Sequence, residues 1–159
     1  MAIVSPAFFD TTVLLSGLVE GLGQQSPHSQ AILTAIARGR IKDPLTAWHC
    51  CLELYSVATR LPEEFRLTPE EVLQLLEEQV LPHFRIQQIS SASWRAFLVE
   101  AVADRVAGGR VYDAHIAAIA RSSGAKVVVT GNRKHFTGLL RHGIQLIDPE
   151  EYAAGLKRG

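Results

Sequence analysis

The chain has 159 residues, 47% of them hydrophobic and 20% charged, with a formal net charge of zero. That length can bury a sizeable core, and the balance excludes a disordered segment. It also excludes a uniformly basic coat for nucleic acid, whose affinity would follow phosphate neutralisation; a local basic patch beside an acidic pocket stays compatible with zero.

In chain order, Ala7–Phe9 reads as a short buried strand ending at Asp10. Val13–Leu22 has helical spacing, and Gly21 and Gly23 mark its stop. Ser26-Pro27 opens a second helix to about Ala37, with Ser as cap and Pro at the first helical position. A basic turn, Arg38–Lys42, leads to a short strand within Asp43–Trp48 and a helix from His49 to Arg60. Thr68-Pro69-Glu70-Glu71 starts another helix, reaching about Val80, with its acids where the dipole favours them. Phe84–Ile89 reads as a third strand. Ser90-Ser91 caps a helix to about Val106, and Val111–Ser122 forms the next, ended by Gly124. Lys126–Thr130 is a continuous β-branched run, the pattern of a strand buried on both faces. Gly143–Ile147 is a last strand, and Pro149 opens a terminal helix. Strands alternating with helices predict one α/β domain over residues 1–159, a parallel sheet with helices on both sides.

The adjacent Cys50 and Cys51 cannot bridge without strain and read as buried thiols in a reducing cytoplasm. No apolar run approaches the 18 or so residues of a membrane span. Residues 1–10 lack the basic start of a signal peptide.

The acids fall at telling places. Asp10 ends the first strand, Glu53 lies one turn into the helix after the second, and Asp113 starts the helix before the valine-rich strand. Ligands of open α/β sheets gather outside the carboxyl ends of the strands. Carboxylates brought together there raise one another's pKa unless a cation intervenes, and Mg²⁺ accepts carboxylates, water and substrate phosphate together. Each acid also has a plainer reading. Asp10 suits an N-cap, Glu53 shares a polar row with His49, Ser56 and Arg60, and Asp113 suits the helix dipole. Asp113 differs in that its row continues into Ile116, Ala117 and Ala120. Asn132 after Gly131 reads as a turn residue. The six histidines are scattered and form no H-E-x-x-H pattern.

Three stretches together resemble the PIN-domain family: Phe8-Phe9-Asp10-Thr11-Thr12-Val13-Leu14, Leu52-Glu53-Leu54-Tyr55-Ser56-Val57, and Tyr112-Asp113-Ala114-His115-Ile116 followed by Val129-Thr130-Gly131-Asn132-Arg133-Lys134-His135-Phe136. Order and spacing agree over nearly the whole chain. The resemblance implies a three-layer α/β/α fold and a Mg²⁺- or Mn²⁺-dependent ribonuclease, with Asp10, Glu53 and Asp113 as metal ligands and Thr12 orienting the carboxylates. Asn132 stands where many members carry Asp, a departure that bears on a second metal. Arg133, Lys134, Arg38 and Arg40 are candidates for RNA backbone contact, or else an ordinary solvated charge run. The compact chain resembles the toxins of type II toxin–antitoxin pairs, which implies an antitoxin partner, a homodimer and a cytoplasmic location. The apolar helices Val13–Leu22 and Ile32–Ala37 offer a partner surface or simply core.

A haloacid-dehalogenase-type phosphatase needs a second Asp two residues after the first, where this chain has Thr12. A receiver domain needs paired acids at the first strand end, and a dinucleotide enzyme needs G-x-G-x-x-G there; both are absent. The remaining alternative is a catalytically inactive PIN fold that binds RNA or serves as a scaffold.

Overall fold

A computed structural model describes residues 3–158; Met1, Ala2 and Gly159, and so the start of the segment read as lacking a signal peptide, lie outside it. Five strands form one parallel sheet: β1 (Ala7–Phe9), β2 (Leu45–Ala47), β3 (Arg85–Gln87), β4 (Val127–Val129) and β5 (Gln145–Ile147), in the spatial order β3-β2-β1-β4-β5. All four pairings are parallel. The three central strands are buried at every position, which is why β1 and β4 read as unbroken apolar runs. The edge strands β3 and β5 each expose their first residue, Arg85 and Gln145.

The helices are α1 (Thr11–Leu18), α2 (Ser26–Ala37), α3 (Trp48–Ala58), α4 (Pro69–Leu75), α5 (Trp94–Ala103), α6 (Arg110–Ser122) and α7 (Pro149–Arg158). The steps from β1 to β2 and from β2 to β3 move the same way across the sheet. Right-handed crossovers therefore put α1–α4 on one face. The step from β3 to β4 runs back, putting α5 and α6 on the other. Packing agrees: α2 lies against α1 and α7, α1 against α3, and α5 against α6. Among the described residues no helix is long and apolar enough to cross a membrane.

The core is centred on β1. Phe9 meets Phe84 and Tyr152 edge-on, with ring centroids 6.0 and 5.3 Å apart. Phe8, Leu14, Ile32, Leu45, Leu54, Ile116 and Val128 are fully buried around it; each such side chain contributes about 1.5–3 kcal/mol. Gly17 lets α1 and α2 touch, because a Cβ there would lie 2.5 Å from Leu33 Cδ1.

The boundaries depart from sequence expectation where side chains choose local partners. The first helix begins at Thr11 because Asp10 caps it, and it ends at Leu18, before the predicted Leu22, because Val19 is extended. Ser26 lies inside α2 and does not cap it. Its hydroxyl accepts from the Gly21 N–H instead, at 3.2 Å, and Gln25 holds the cap position. Thr68 and Glu71 form a reciprocal capping box at α4, of 3.1 and 2.7 Å. The run expected to continue to Val80 changes to a π-turn over Leu76–Val80. Ser90 bonds Ser93 Oγ at 2.9 Å rather than a backbone N–H, so a 3₁₀ turn over Ser91–Ser93 precedes α5. That helix stops at Ala103, short of the predicted Val106, where Arg105 turns left-handed at φ 55°. Between β4 and β5 the chain makes two 3₁₀ turns, Arg133–His135 and Thr137–His142, that no periodicity announced.

Candidate active site

Asp10 leaves the carboxyl end of β1 and caps α1, so the capping reading and the site reading describe one side chain. Its Oδ1 accepts from the Thr12 N–H at 3.1 Å and from Thr12 Oγ1 at 2.6 Å, and its Oδ2 accepts from Thr130 Oγ1 at 2.7 Å. The two threonines are held in turn by the end of β4. Thr12 Oγ1 accepts from the Gly131 N–H at 2.7 Å, and Thr130 Oγ1 from the Asn132 N–H at 2.9 Å. The approach is close: a Cβ on Gly131 would stand 3.3 Å from Thr12 Oγ1.

Asp10 is only 3% exposed. Burial pushes its carboxyl up to about 6, further than these hydrogen bonds pull it down, and no cationic side chain offsets the charge. Its neighbour on α3 is Cys50, whose thiol burial pushes up to about 12, with the Asp10 charge adding to the effect. Cys50 and Cys51 are both buried free thiols.

Glu53 and Asp113 each lie beside a histidine, and both are near enough to His49 for their charges to act on it. Glu53, on the second turn of α3, has Oε2 3.9 Å from His49 Nε2. Asp113, on the first turn of α6, has Oδ2 3.1 Å from His135 Nδ1. Both carboxylates lend their charge to His49, although burial outweighs them and holds His49 below the ordinary histidine pKa. His49 Nδ1 lies 2.7 Å from His115 Nδ1, and burial lowers the pKa of His115 as well.

Among the described residues, no three His, Cys, Asp or Glu side chains converge closely enough to hold a metal ion. Each carboxylate has its own neighbours: two threonines for Asp10, His135 for Asp113 and His49 for Glu53. The donor chemistry nonetheless fits a divalent ion. Asp10 is a buried negative charge with no positive one beside it, and three carboxylates form an oxygen set suited to a hard cation.

The other sequence candidates are dispersed. Asn132 sets the start of a 3₁₀ turn through its backbone, and its side chain makes no cap. Arg133 is drawn to Asp148 and Glu151, at 3.9 and 4.0 Å. Lys134 lines a cleft of about 500 Å³ between α5, α6 and the 3₁₀ turns, with Asp113 and His135 also on its wall. Arg38 and Arg40 lie in the loop that feeds the amino end of β2. In a parallel sheet that is the edge opposite Asp10. The exposed apolar residues are not on the two helices singled out in the sequence. Some of them form stripes on α3 (Trp48, Leu52, Tyr55) and α5 (Trp94, Leu98, Val102).

Sequence reading missed Thr130, His49, His115 and His135. Two local signals existed: His49 is one helical turn before Glu53, and His115 is two residues after Asp113.

Comparison with known proteins places the fold. Residues 6–134 match the PIN domain. The chain is 31% identical to ribonuclease VapC40 of Mycobacterium tuberculosis over 119 residues, covering 75% of this chain and 81% of that protein. It superposes on a solved structure of FitAB bound to an IR36 DNA fragment with a TM-score of 0.62 at 16% identity, covering 91% of this chain and 95% of that one. It also superposes on Mycobacterium tuberculosis VapC20, a sarcin–ricin loop cleaving toxin, with a TM-score of 0.57 at 12% identity, covering 77% and 87%. With the matched segment running from the residue before β1 to the turn after β4, and so spanning Asp10, Glu53 and Asp113, the chain belongs to the PIN-domain family.

Proposed function

We propose that the chain is a divalent-metal-dependent ribonuclease and the toxin of a toxin–antitoxin pair. The observation that carries this reading is Asp10, a carboxylate buried without a counter-charge at the carboxyl edge of a parallel sheet, where ligands of such sheets bind. Kinship supports it, since VapC40 is named a ribonuclease and VapC20 an RNA-loop-cleaving toxin.

Asp10, Glu53 and Asp113 would hold Mg²⁺ or Mn²⁺. Bound there, such an ion supplies Lewis-acid polarisation of a phosphoryl oxygen and a water acidic enough to attack at neutral pH. The chain's own groups do the rest. Thr12 and Thr130 fix the plane of the Asp10 carboxylate. His135 steadies Asp113, and Lys134, in the adjoining cleft, meets a backbone phosphate of the RNA. Asn132 adds no charge, so three carboxylates carry the site.

A protein antitoxin is the partner this reading implies, supported by the likeness to FitAB and to a toxin. The exposed apolar stripes on α3 and α5 support a homodimer.

The test is cleavage of total bacterial RNA by the purified chain in Mg²⁺, Mn²⁺ or EDTA, with Asp113→Asn alongside. Metal-dependent cleavage that drops at least about 100-fold in the variant is the expected result. No cleavage in either metal, together with no calorimetric binding of Mg²⁺ or Mn²⁺, leaves the inactive RNA-binding or scaffold fold instead.

A further inference from the structure

We propose that His49 and His115 form a two-imidazole strut that orients Glu53, a positioning role that rests on the metal-site reading above. The two rings come from helices on opposite faces of the sheet, α3 and α6, and their Nδ1 atoms are 2.7 Å apart. At that distance they share one proton: one Nδ1 donates and the other accepts.

Which one donates follows from the far side of His49. Its Nε2 faces the Glu53 carboxylate at 3.9 Å. If His49 donated through Nδ1, its Nε2 would be a bare lone pair facing a negative charge. If His115 donates, His49 carries its proton on Nε2 and turns that N–H towards Glu53. The second arrangement sets an N–H, and not a lone pair, against the carboxylate. The order is therefore a hydrogen bond from His115 Nδ1–H to His49 Nδ1, then an electrostatic contact from His49 Nε2–H to Glu53 across 3.9 Å, longer than a hydrogen bond.

The outer end of the strut is anchored. The His115 ring lies over Trp94 at 5.3 Å and beside Phe97 at 5.4 Å, while Tyr112 meets the His49 ring at 5.9 Å. Aromatic packing thus fixes the His115 ring, and one hydrogen bond passes that orientation to His49. An N–H behind a carboxylate ligand holds it in the geometry that a cation requires, and loss of such support typically weakens metal binding 10–100-fold.

Two variants separate the hydrogen bond from the packing. His115→Phe keeps an aromatic ring against Trp94 and Phe97 and removes the N–H. His115→Asn restores a donor near the Nδ1 position. The expected result is that Mn²⁺ binding, measured by calorimetry without RNA, weakens at least about 10-fold in His115→Phe and largely recovers in His115→Asn. RNA cleavage should lose kcat with KM little changed. Long-range ¹H–¹⁵N correlations of the metal-free protein should show His115 protonated on Nδ1 and His49 on Nε2.

The opposite tautomers, or parental Mn²⁺ affinity in a folded His115→Phe, would overturn the strut while leaving the nuclease reading in place. A parent that binds no Mn²⁺ would overturn the metal reading and the strut's purpose with it.

Discussion

Replacing Asp10 with asparagine is expected to stabilise the metal-free protein at neutral pH while abolishing RNA cleavage. Burial raises the Asp10 pKa from 3.8 to about 6, and at 1.36 kcal/mol per unit the folded state bears a cost of about 3 kcal/mol once the group is ionised. The sign follows from linkage. A carboxyl that binds its proton more tightly when folded penalises folding fully above pH 6, and the penalty fades to nothing below 3.8. Asparagine can accept from the Thr12 N–H and hydroxyl and donate to Thr130. The rise to about 6 already sets the carboxylate's hydrogen bonds against burial. The gain is therefore up to about 3 kcal/mol at pH 7.5, roughly 6–12 °C in Tm for a chain of this size. At pH 4 the gain should vanish. Urea unfolding in EDTA at the two pH values measures it, and saturating Mn²⁺ should then raise the stability of the parent but not of the variant. The same stability difference at both pH values, or a variant less stable at pH 7.5, would refute the reasoning.

Thr12→Val removes the hydroxyl that joins Asp10 to Gly131. It should cost about 2–3 kcal/mol in urea unfolding and move the Asp10 titration still higher, while Thr12→Ser restores both. Burial raises the Cys50 and Cys51 thiols to about 12 and about 11, so neither should react with a thiol reagent at pH 8 until the chain unfolds. Leu98→Asp puts a charge in the middle of the α5 stripe; sedimentation should show a dimeric parent and a monomeric variant of unchanged helicity.

Much of the sheet was legible because its strands announce themselves. Val127–Val129 is β-branched at every position, and Asp10 closes an aromatic run that nothing but burial explains. Thr68 and Glu71 were legible as a helix start because a capping box is local. What stayed hidden depends on packing between distant segments. Thr130 reads as the tail of a strand until β1 and β4 pair and bring its hydroxyl to Asp10. The histidine pair spans 66 residues and exists only because α3 and α6 meet at the sheet edge. Arg38 and Arg40 look like phosphate contacts by composition, and only strand direction places them at the far edge. The 3₁₀ turns between β4 and β5, three and six residues long, are too short to show a periodicity.

The strand order has a consequence for synthesis. β1 emerges first yet sits in the middle of the sheet, and its second neighbour, β4, begins at Val127. The hydroxyl that holds Asp10 Oδ2 belongs to a residue 120 positions later. A ribosome therefore adds 120 more residues after Asp10 before its carboxylate can find its place. Such long-range pairing is slow to form, so the acidic edge of the sheet stays unassembled through most of the time the chain spends on the ribosome.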